Sequence, residues 1–297
     1  MNVAVIDVGS NTIRLLVGTR VGGELTAVAR GKRVVGLGRD VEQLGAISAP
    51  KLAEAAECVC DFVDDARAAG SALVDVVVAS PGRQARNADQ LVRLISRASG
   101  AQVRVLEQEE EARLAFEGAL EDVTGDGAVA VCDVGGGSAQ IAVGTVDSGP
   151  AWLRSIDLGS LRLSARVPHA DPPKKSDQAA LRAEARAAVS GLTPPLPSRA
   201  VTIGGTARAL RKLVGRTLGP VELGEAMELL RRVPAEELAE HYDIDVWRAR
   251  ALPAGAAIVA EFQLLLQVPL EVGKAGLREG ALLRLLDRLP AAQAGGR

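Results

Sequence analysis

Short apolar runs alternate with longer amphipathic segments along the chain, a pattern typical of α/β domains. In the first half, this pattern predicts strands at 3–8, 13–19, 24–30, 74–79 and 102–106. In the second half, it predicts strands at 128–134, 139–145, 151–157 and 200–203. The alternation therefore predicts an α/β fold.

Helical periodicity fills most of the segments between these strands. One predicted helix, 50–69, has Ser48 as a candidate cap, Pro50 in its first turn and Gly70 after its end. Further helices are predicted at 108–121, 182–189, 223–232, 247–266 and 277–289. Proline-rich segments predict irregular structure at 168–177 and 193–197, and the tail 290–297 is predicted to be disordered.

One sequence pattern occurs twice. Residues 3–19 read VAVIDVGSNTIRLLVGT and residues 129–145 read VAVCDVGGGSAQIAVGT, which are identical at 9 of 17 positions with an offset of 126. A repeat with this period indicates two related half-molecules. We expect α/β domains at 1–124 and 125–297, with the two Asp-Val-Gly turns facing each other across a cleft. The last helix is placed in the second domain, with the option that it packs back on the first.

Composition narrows the possible functions. Aromatic residues are only 2% of the chain, which argues against single-stranded nucleic-acid binding by base stacking. The chain begins without a basic and apolar leader, and no window holds about 18 uninterrupted apolar residues, so neither export nor a membrane span is expected. The three cysteines lack metal-ligand spacing and are expected to be buried free thiols. We therefore expect a cytoplasmic protein without nucleic-acid or membrane partners.

Charge is unevenly distributed, although the net charge is only -2. Residues 101–150 hold ten acidic and two basic side chains, whereas residues 154–216 hold twelve basic and four acidic ones. A basic segment is a candidate surface for a polyanion. Arginines that coat solvated helix faces would give the same pattern.

Small residues fill both repeated turns. They allow backbone N–H groups to converge on an anion, so the candidate phosphate ligands are Gly9, Ser10, Asn11, Gly135, Gly136, Gly137 and Ser138. A plain hairpin would explain either turn alone, but two copies in matched register favour phosphate. A third turn opens a predicted helix and adds Gly205 and Thr206, with a tight turn as the alternative. Asp7 and Asp133 end the preceding strands and suit a hydrated Mg²⁺.

These turns, with three further motifs in order, resemble the exopolyphosphatase / guanosine pentaphosphate phosphohydrolase (Ppx/GppA) family of the actin/hexokinase/Hsp70 superfamily. The motifs that carry the resemblance are Ile6–Thr12, Ala79–Asn87, Glu109–Leu114, Asp133–Ser138 and Gly276–Gly280. They cover nearly the whole chain. The resemblance implies two ribonuclease H-like (actin-like ATPase) domains with an interdomain cleft, and a possible homodimer.

The resemblance also implies residue roles. Glu111 matches the catalytic glutamate, which acts as general base or orients the attacking water. Arg83 matches an arginine that grips phosphate, and Asp133 matches a metal-linked aspartate. The expected cofactor is Mg²⁺ or Mn²⁺, with Asp7 as a second carboxylate. Without the family, Glu111 would be one of three glutamates that complement a helix dipole.

The chain departs from the family pattern at three places. Gln140 replaces a glutamate that helps to hold the metal, so it keeps an acceptor oxygen but loses the charge, and weaker metal binding is expected. The arginine motif begins Ala-Ser-Pro at Ala79, and its later glutamate is Gln84. Arg250 stands where an aspartate is common.

The favoured function is hydrolysis of terminal phosphate from inorganic polyphosphate. The candidate track for this polyanion consists of Lys174, Lys175, Arg208, Arg211 and Lys212. One alternative is the same reaction on the 5′-phosphate of guanosine pentaphosphate, although no base-reading feature is evident. A second alternative, motivated by Gln140 and Arg250, is a weakly active or inactive protein that senses polyphosphate or a nucleotide. The fold alone would also allow a kinase, but the motifs around Arg83 and Glu111 argue against it.

Overall fold

The computed structural model describes residues 1–123 and 125–289. Thr124, at the predicted domain boundary, and 290–297, the tail that was expected to be disordered, lie outside the described residues. The division into domains at 124/125 therefore stays a prediction.

The first sheet has the spatial order β3-β2-β1-β4-β5. Its strands are β1 (Asn2–Val8), β2 (Thr12–Val21), β3 (Glu24–Val34), β4 (Ser71–Val78) and β5 (Val103–Val105). Strands β1 to β3 form an antiparallel meander, and β4 and β5 continue the sheet parallel to β1. The tight turn between β1 and β2 therefore lies at the same edge of the sheet as the carboxyl end of β4.

The second sheet repeats this order and adds one edge strand. Its strands are β6 (Val129–Val134), β7 (Ala139–Thr145), β8 (Gly149–Ile156), β9 (Arg199–Ile203), β10 (Thr217–Leu218) and β11 (Leu270–Val272). The spatial order β8-β7-β6-β9-β11 matches the first sheet, with β10 antiparallel to β11 at the edge. The predicted fold class, α/β with two ribonuclease H-like sheets, is confirmed.

Helices connect and cover the sheets. The helices of the first half are α1 (Leu37–Leu44), α2 (Ala49–Ala68), α3 (Ser80–Gln84), α4 (Ala88–Ser99) and α5 (Gln108–Ala119), which a 3₁₀ turn follows at Leu120–Asp122. Those of the second half are α6 (Ser160–Arg166), α7 (Lys175–Val189), α8 (Gly204–Val214), α9 (Pro220–Arg232), α10 (Ala235–His241), α11 (Val246–Leu266) and α12 (Leu277–Asp287).

One local expectation held in position and another was wrong. Ser48 is the N-cap residue of α2 and Pro50 lies in the first turn, although the Ser48 side chain makes no capping hydrogen bond. The segment 168–177 was expected to be irregular, yet α7 begins at Lys175. The reason is that the Asp177 carboxylate accepts the backbone N–H of Lys174 at 2.9 Å and so satisfies the end of the helix.

Helix α11 forms the centre of the second core. It is long and apolar enough to cross a bilayer by length and hydropathy, but 83% of that apolar window is buried inside the protein. It packs among buried side chains of both the sheet and the surrounding helices, including Leu181, Leu210 and Leu238. A core helix therefore accounts for its composition. Cys58 and Cys132 are buried free thiols as expected, whereas Cys60 is only partly buried.

Helices α5 and α12 lie between the two sheets. One apolar cluster joins Val5 of the first sheet and Val131 of the second to Leu114 of α5 and Leu282 of α12. The two helices approach closely, because a Cβ added to Gly280 would lie 2.0 Å from the carbonyl oxygen of Leu114. This close packing fixes α5, which carries Glu111, against both halves of the molecule.

Candidate active site

The two repeated turns have the same hydrogen bonding. The Gly9 N–H donates to the Thr12 carbonyl at 3.1 Å, and the Gly135 N–H donates to the Ser138 carbonyl at 3.0 Å. Across residues 1–123 and 125–289, no protein acceptor is found for the backbone amides of Ser10, Asn11, Gly136, Gly137 and Ser138. Both turns therefore offer free N–H groups to an anion, from the residues that follow Gly9 and Gly135.

The turns meet directly. Ser10 Oγ lies 2.6 Å from Ser80 Oγ at the start of α3. A Cβ added to Gly137 would lie 2.8 Å from each of these hydroxyl oxygens. Only glycine allows the second turn to approach the first this closely, so the two halves of the molecule are in contact at this point.

Asp7 and Asp133 occupy equivalent strand ends in the cleft. Their cross-strand neighbours are Arg14 and Gln140. Burial raises the pKa of both carboxyls, and the pKa of Asp133 reaches about 6 although Arg208 lowers it. Such raised values mean that negative charge on these carboxylates is only partly compensated by the protein.

Glu111 faces the same cleft from the first turn of α5. It is 8% exposed, and burial raises its pKa to about 7, with Asp133 and Asp7 adding to the effect. Arg83 opposes this rise, because its Nη2 donates to Glu111 Oε2 at 2.6 Å. A carboxyl whose pKa lies near neutrality is suited to accept a proton.

Four arginines line the cleft without a carboxylate within ion-pair distance among the described residues: Arg14, Arg208, Arg248 and Arg278. Burial, together with the positive charges of neighbouring arginines, lowers the pKa of Arg14 and Arg248 to about 10. The guanidinium of Arg248 also lies 4.3 Å from the ring centre of Trp247. Cations that line one cleft without an ion-pair partner favour the binding of a multiply charged anion.

Most predicted site residues line this cleft: Asp7, Gly9, Ser10, Asn11, Glu111, Asp133, Gly135, Gly136, Ser138 and Gly205. The other four lie behind it. Arg83 contacts Glu111 and the Leu106 carbonyl, and Gly137 lies against the hydroxyls of the first turn. Thr206 is 2% exposed and donates to the Val134 carbonyl at 3.0 Å. Gln140 donates to the hydroxyls of Ser138 and Ser155.

Sequence reasoning missed Arg14, Arg248 and Trp247. The signal for Arg14 was present, because an arginine interrupts an apolar strand opposite Asp7. The expected polyanion track is only partly at the cleft: Arg208 lines it and Lys212 lies just outside it. Lys174 and Lys175 lie at the start of α7 and do not line it.

The residues present fit a magnesium ion through Asp7 and Asp133. Over the part of the chain that the structure describes, no group of three or more His, Cys, Asp or Glu has metal-binding spacing. Mg²⁺ does not need one, because it keeps waters and binds through one or two carboxylates together with substrate phosphates. The protein compensates the negative charge of Asp7 and Asp133 only in part, and a divalent cation would compensate the rest. The side-chain amide nitrogen of Gln140 is already engaged with hydroxyls.

Comparison with known proteins identifies the family. A sequence profile of the Ppx/GppA phosphatase family matches residues 16–289. Exopolyphosphatase 1 of Mycobacterium tuberculosis is 30% identical over 307 residues, which cover 97% of this chain and 89% of that protein. The chain belongs to the Ppx/GppA phosphatase family. A further relative, the guanosine-5′-triphosphate,3′-diphosphate pyrophosphatase of Aliivibrio fischeri, is 26% identical over 96% of this chain and 59% of its own length.

Solved structures share the Ppx/GppA fold. An exopolyphosphatase from Cytophaga hutchinsonii superimposes with a TM-score of 0.88 at 21% identity, covering 98% of this chain and 99% of that chain. The Ppx/GppA family member of Aquifex aeolicus gives a TM-score of 0.83 at 24% identity, with coverage of 98% and 99%. The expectations of a Ppx/GppA member, and of an enzyme of the phosphoanhydride hydrolase class, are confirmed at the level of the family.

The C-terminal Ppx/GppA motif has a structural explanation in this chain. The Glu279 carboxylate accepts the Gly276 N–H at 2.9 Å and caps α12. Gly280 permits the close approach to α5, and Arg278 lines the cleft. The motif therefore has two roles: it packs α12 against α5, and it supplies one cation to the cleft.

Proposed function

We propose that this protein is an exopolyphosphatase-type phosphohydrolase that releases terminal phosphate from inorganic polyphosphate. The observation that carries the proposal is the arrangement of four unpaired arginines and free backbone amides around the buried Glu111. A chain of phosphates provides the density of negative charge that such a cleft requires. Phosphoryl transfer depends mainly on positioning and charge neutralisation, which these groups supply.

Glu111 is the proposed general base. With a pKa of about 7, its carboxylate is suited to accept a proton near neutral pH. Arg83 holds its carboxylate at 2.6 Å and thus fixes its orientation. In this role Arg83 acts through Glu111, rather than by gripping phosphate itself as the family resemblance implied.

The proposed reaction adds one water across one phosphoanhydride bond. The water oxygen bonds to the terminal phosphorus while one proton passes to Glu111. The bond between that phosphorus and the bridging oxygen breaks, and the bridging oxygen leaves with the shortened chain. Free amides of Ser10 and Gly136 would hold the phosphate oxygens. Mg²⁺ or Mn²⁺, held by Asp7 and Asp133, would neutralise part of the phosphate charge when bound.

Guanosine pentaphosphate is the second candidate substrate, and Trp247 is the observation that favours it. The ring lies in the cleft beside Arg248, and its Nε1 is buried without a hydrogen-bond partner among the described residues. An aromatic ring that lines a cleft is suited to stacking on a nucleobase. We rank this substrate second because four unpaired arginines favour a chain of phosphates, whereas Trp247 alone favours a base.

Phosphate release from linear polyphosphate and from guanosine pentaphosphate, with Mg²⁺ and with Mn²⁺, tests the proposal. We expect faster release from polyphosphate by the wild type, and loss of release in Glu111→Gln with unchanged circular dichroism. The matched control is Glu109→Gln, because Glu109 is exposed on the same helical turn.

Three outcomes separate the candidates. Faster release from the nucleotide, abolished by Trp247→Ala, would favour guanosine pentaphosphate. Calorimetric binding of polyphosphate without release would favour the sensor. Full activity of Glu111→Gln would remove Glu111 from the mechanism.

A further inference from the structure

Trp247 is not explained by the packing of the core. Within residues 1–123 and 125–289, three clusters of apolar side chains fill the interior, and Trp247 belongs to none of them. The other tryptophan of the chain, Trp152, packs against the core of the second half. Trp247 instead stands in the first turn of α11 and lines the cleft. A large aromatic side chain placed in this way is a candidate for a functional role.

The guanidinium of Arg248 lies in an unfavourable place. Burial and the positive charges of Arg14 and Arg208 lower its pKa to about 10. Asp245, whose carboxylate pairs with Lys32, favours the charged form of Arg248 without forming an ion pair with it. A cation that is partly desolvated and repelled by two others needs a favourable contact to stay in the cleft.

The ring of Trp247 supplies that contact. The central carbon of the Arg248 guanidinium lies 4.3 Å from the ring centre, which is within the range of a cation–π interaction. Neighbouring residues on a helix normally point away from each other, so this contact requires a particular conformation of the Arg248 side chain. The same guanidinium lies against Gly205 at the start of α8, where a Cβ would collide with it. An indole ring and a side-chain-free backbone position therefore hold it together.

A ring holds a cation without neutralising it. Two lysines of the adjoining pocket are held differently, because Lys32 pairs with Asp245 at 2.5 Å and Lys212 pairs with Asp243 at 2.9 Å. A phosphate must displace these carboxylates before it can bind the lysines, which lowers the net affinity. Arg248 has no such anion to exchange, so its N–H donors remain available to a substrate.

We propose that Trp247 is a positioning residue, which holds the uncompensated guanidinium of Arg248 in the cleft and thereby sets the affinity for a chain of phosphates. The inference rests on the proposed function and adds to it a determinant of substrate affinity. Trp247 acts on polyphosphate through Arg248 and does not touch it. This role differs from stacking on a nucleobase, because inorganic polyphosphate has no base.

Steady-state phosphate release from linear polyphosphate tests the inference. Trp247→Leu should raise KM about fivefold and change kcat by less than about twofold, because Arg248 keeps its charge but loses its orientation. Trp247→Phe retains an aromatic face and should keep KM within about twofold of the wild type. Circular dichroism checks the folding of each variant.

A double variant separates positioning from direct contact. Arg248→Met alone should raise KM about tenfold, and Trp247→Leu should add nothing in that background, since the cation on which the ring acts is gone. Effects that multiply in the double variant would mean that the ring contacts the substrate itself. That result would overturn the inference.

Gly205→Ala displaces Arg248 while the ring is kept, and it guards against misfolding of Trp247→Leu. The three atoms nearest to the new Cβ all belong to the Arg248 guanidinium, the far end of a flexible side chain, so the fold should be kept. KM should again rise about fivefold, and this rise should disappear in the Arg248→Met background.

Trp152→Leu is the matched control. The guanidinium of Arg154 lies 5.4 Å from the ring centre of Trp152, but both residues stand on β8 and neither lines the cleft. This variant should keep the KM and kcat of the wild type. An equal rise of KM in the control would mean that loss of any such ring, rather than of the one beside Arg248, weakens the enzyme.

The outcomes separate this inference from the proposed function. A wild-type KM in folded Trp247→Leu and Gly205→Ala would overturn the inference alone. Calorimetric binding of tripolyphosphate by the wild type without phosphate release would contradict the proposed hydrolysis, and the same variants would then be compared by Kd instead of KM. Absence of tripolyphosphate binding by the wild type would overturn both.

Discussion

Replacing Glu111 with glutamine tests the buried charge at the centre of the site. Burial raises the pKa of this carboxyl from the usual 4.5 to about 7. The folded protein therefore keeps a proton on Glu111 over a pH range in which the unfolded chain has released it. This stabilisation is complete below the unfolded pKa, and it is lost as the pH rises through the folded pKa.

The magnitude follows from the two pKa values. Each pH unit between them lowers the free energy of unfolding by about 1.4 kcal/mol. Between about pH 5 and about pH 8, Glu111 alone should lower it by about 2 to 3 kcal/mol. Glutamine has no charge to bury, so Glu111→Gln should lose that much less stability over the same interval.

Urea unfolding followed by circular dichroism, at both pH values, measures the effect. Glu109→Gln is the control, because Glu109 is exposed in the same helical turn and should follow the wild type. An equal loss of stability in wild type and Glu111→Gln would refute the reasoning. It would mean that Arg83, rather than burial, determines the protonation of Glu111. In the wild type, phosphate release should rise with pH through about 7, as the base becomes ionised.

Three further predictions concern the packing of α12, the binding of substrate and an exposed ion pair. Gly280→Ala places a Cβ 2.0 Å from the Leu114 carbonyl, so urea unfolding should show a loss of about 3 kcal/mol. Arg248→Met should raise KM for polyphosphate about tenfold with a smaller change in kcat, and weaken the dependence of KM on salt. Lys32→Met removes the exposed pair with Asp245, and the free energy of unfolding should change by less than about 1 kcal/mol.

The parts of the site that were predictable are those encoded locally. The two turns repeat in the sequence, and the structure closes both with the same hydrogen bond. The strands before them were found because a buried strand is a continuous apolar run. Strands β10 and β11 were missed, since two or three residues are too few for periodicity to show.

The remaining parts depend on tertiary contacts. Arg248 of α11 reaches the cleft only because α11 packs beside α8, where a Cβ on Gly205 would collide with its guanidinium. Gln84 was visible as a departure from the family pattern. Its partner Arg162 is 78 residues away, so no local pattern joins them. Helix α3 was missed because it has only five residues and begins Ser-Pro-Gly.

Helix α12 has a consequence for the order in which the protein can fold during synthesis. Its Leu282 packs in the same cluster as Val3, Val5 and Leu16 of β1 and β2. The ribosome makes α12 after the other described helices and strands, so this apolar face of the first sheet stays uncovered until those elements have been made. Such a face invites aggregation or chaperone binding while translation continues. Truncation shortly before α12 should therefore destabilise the first sheet as much as the part of the chain near α12.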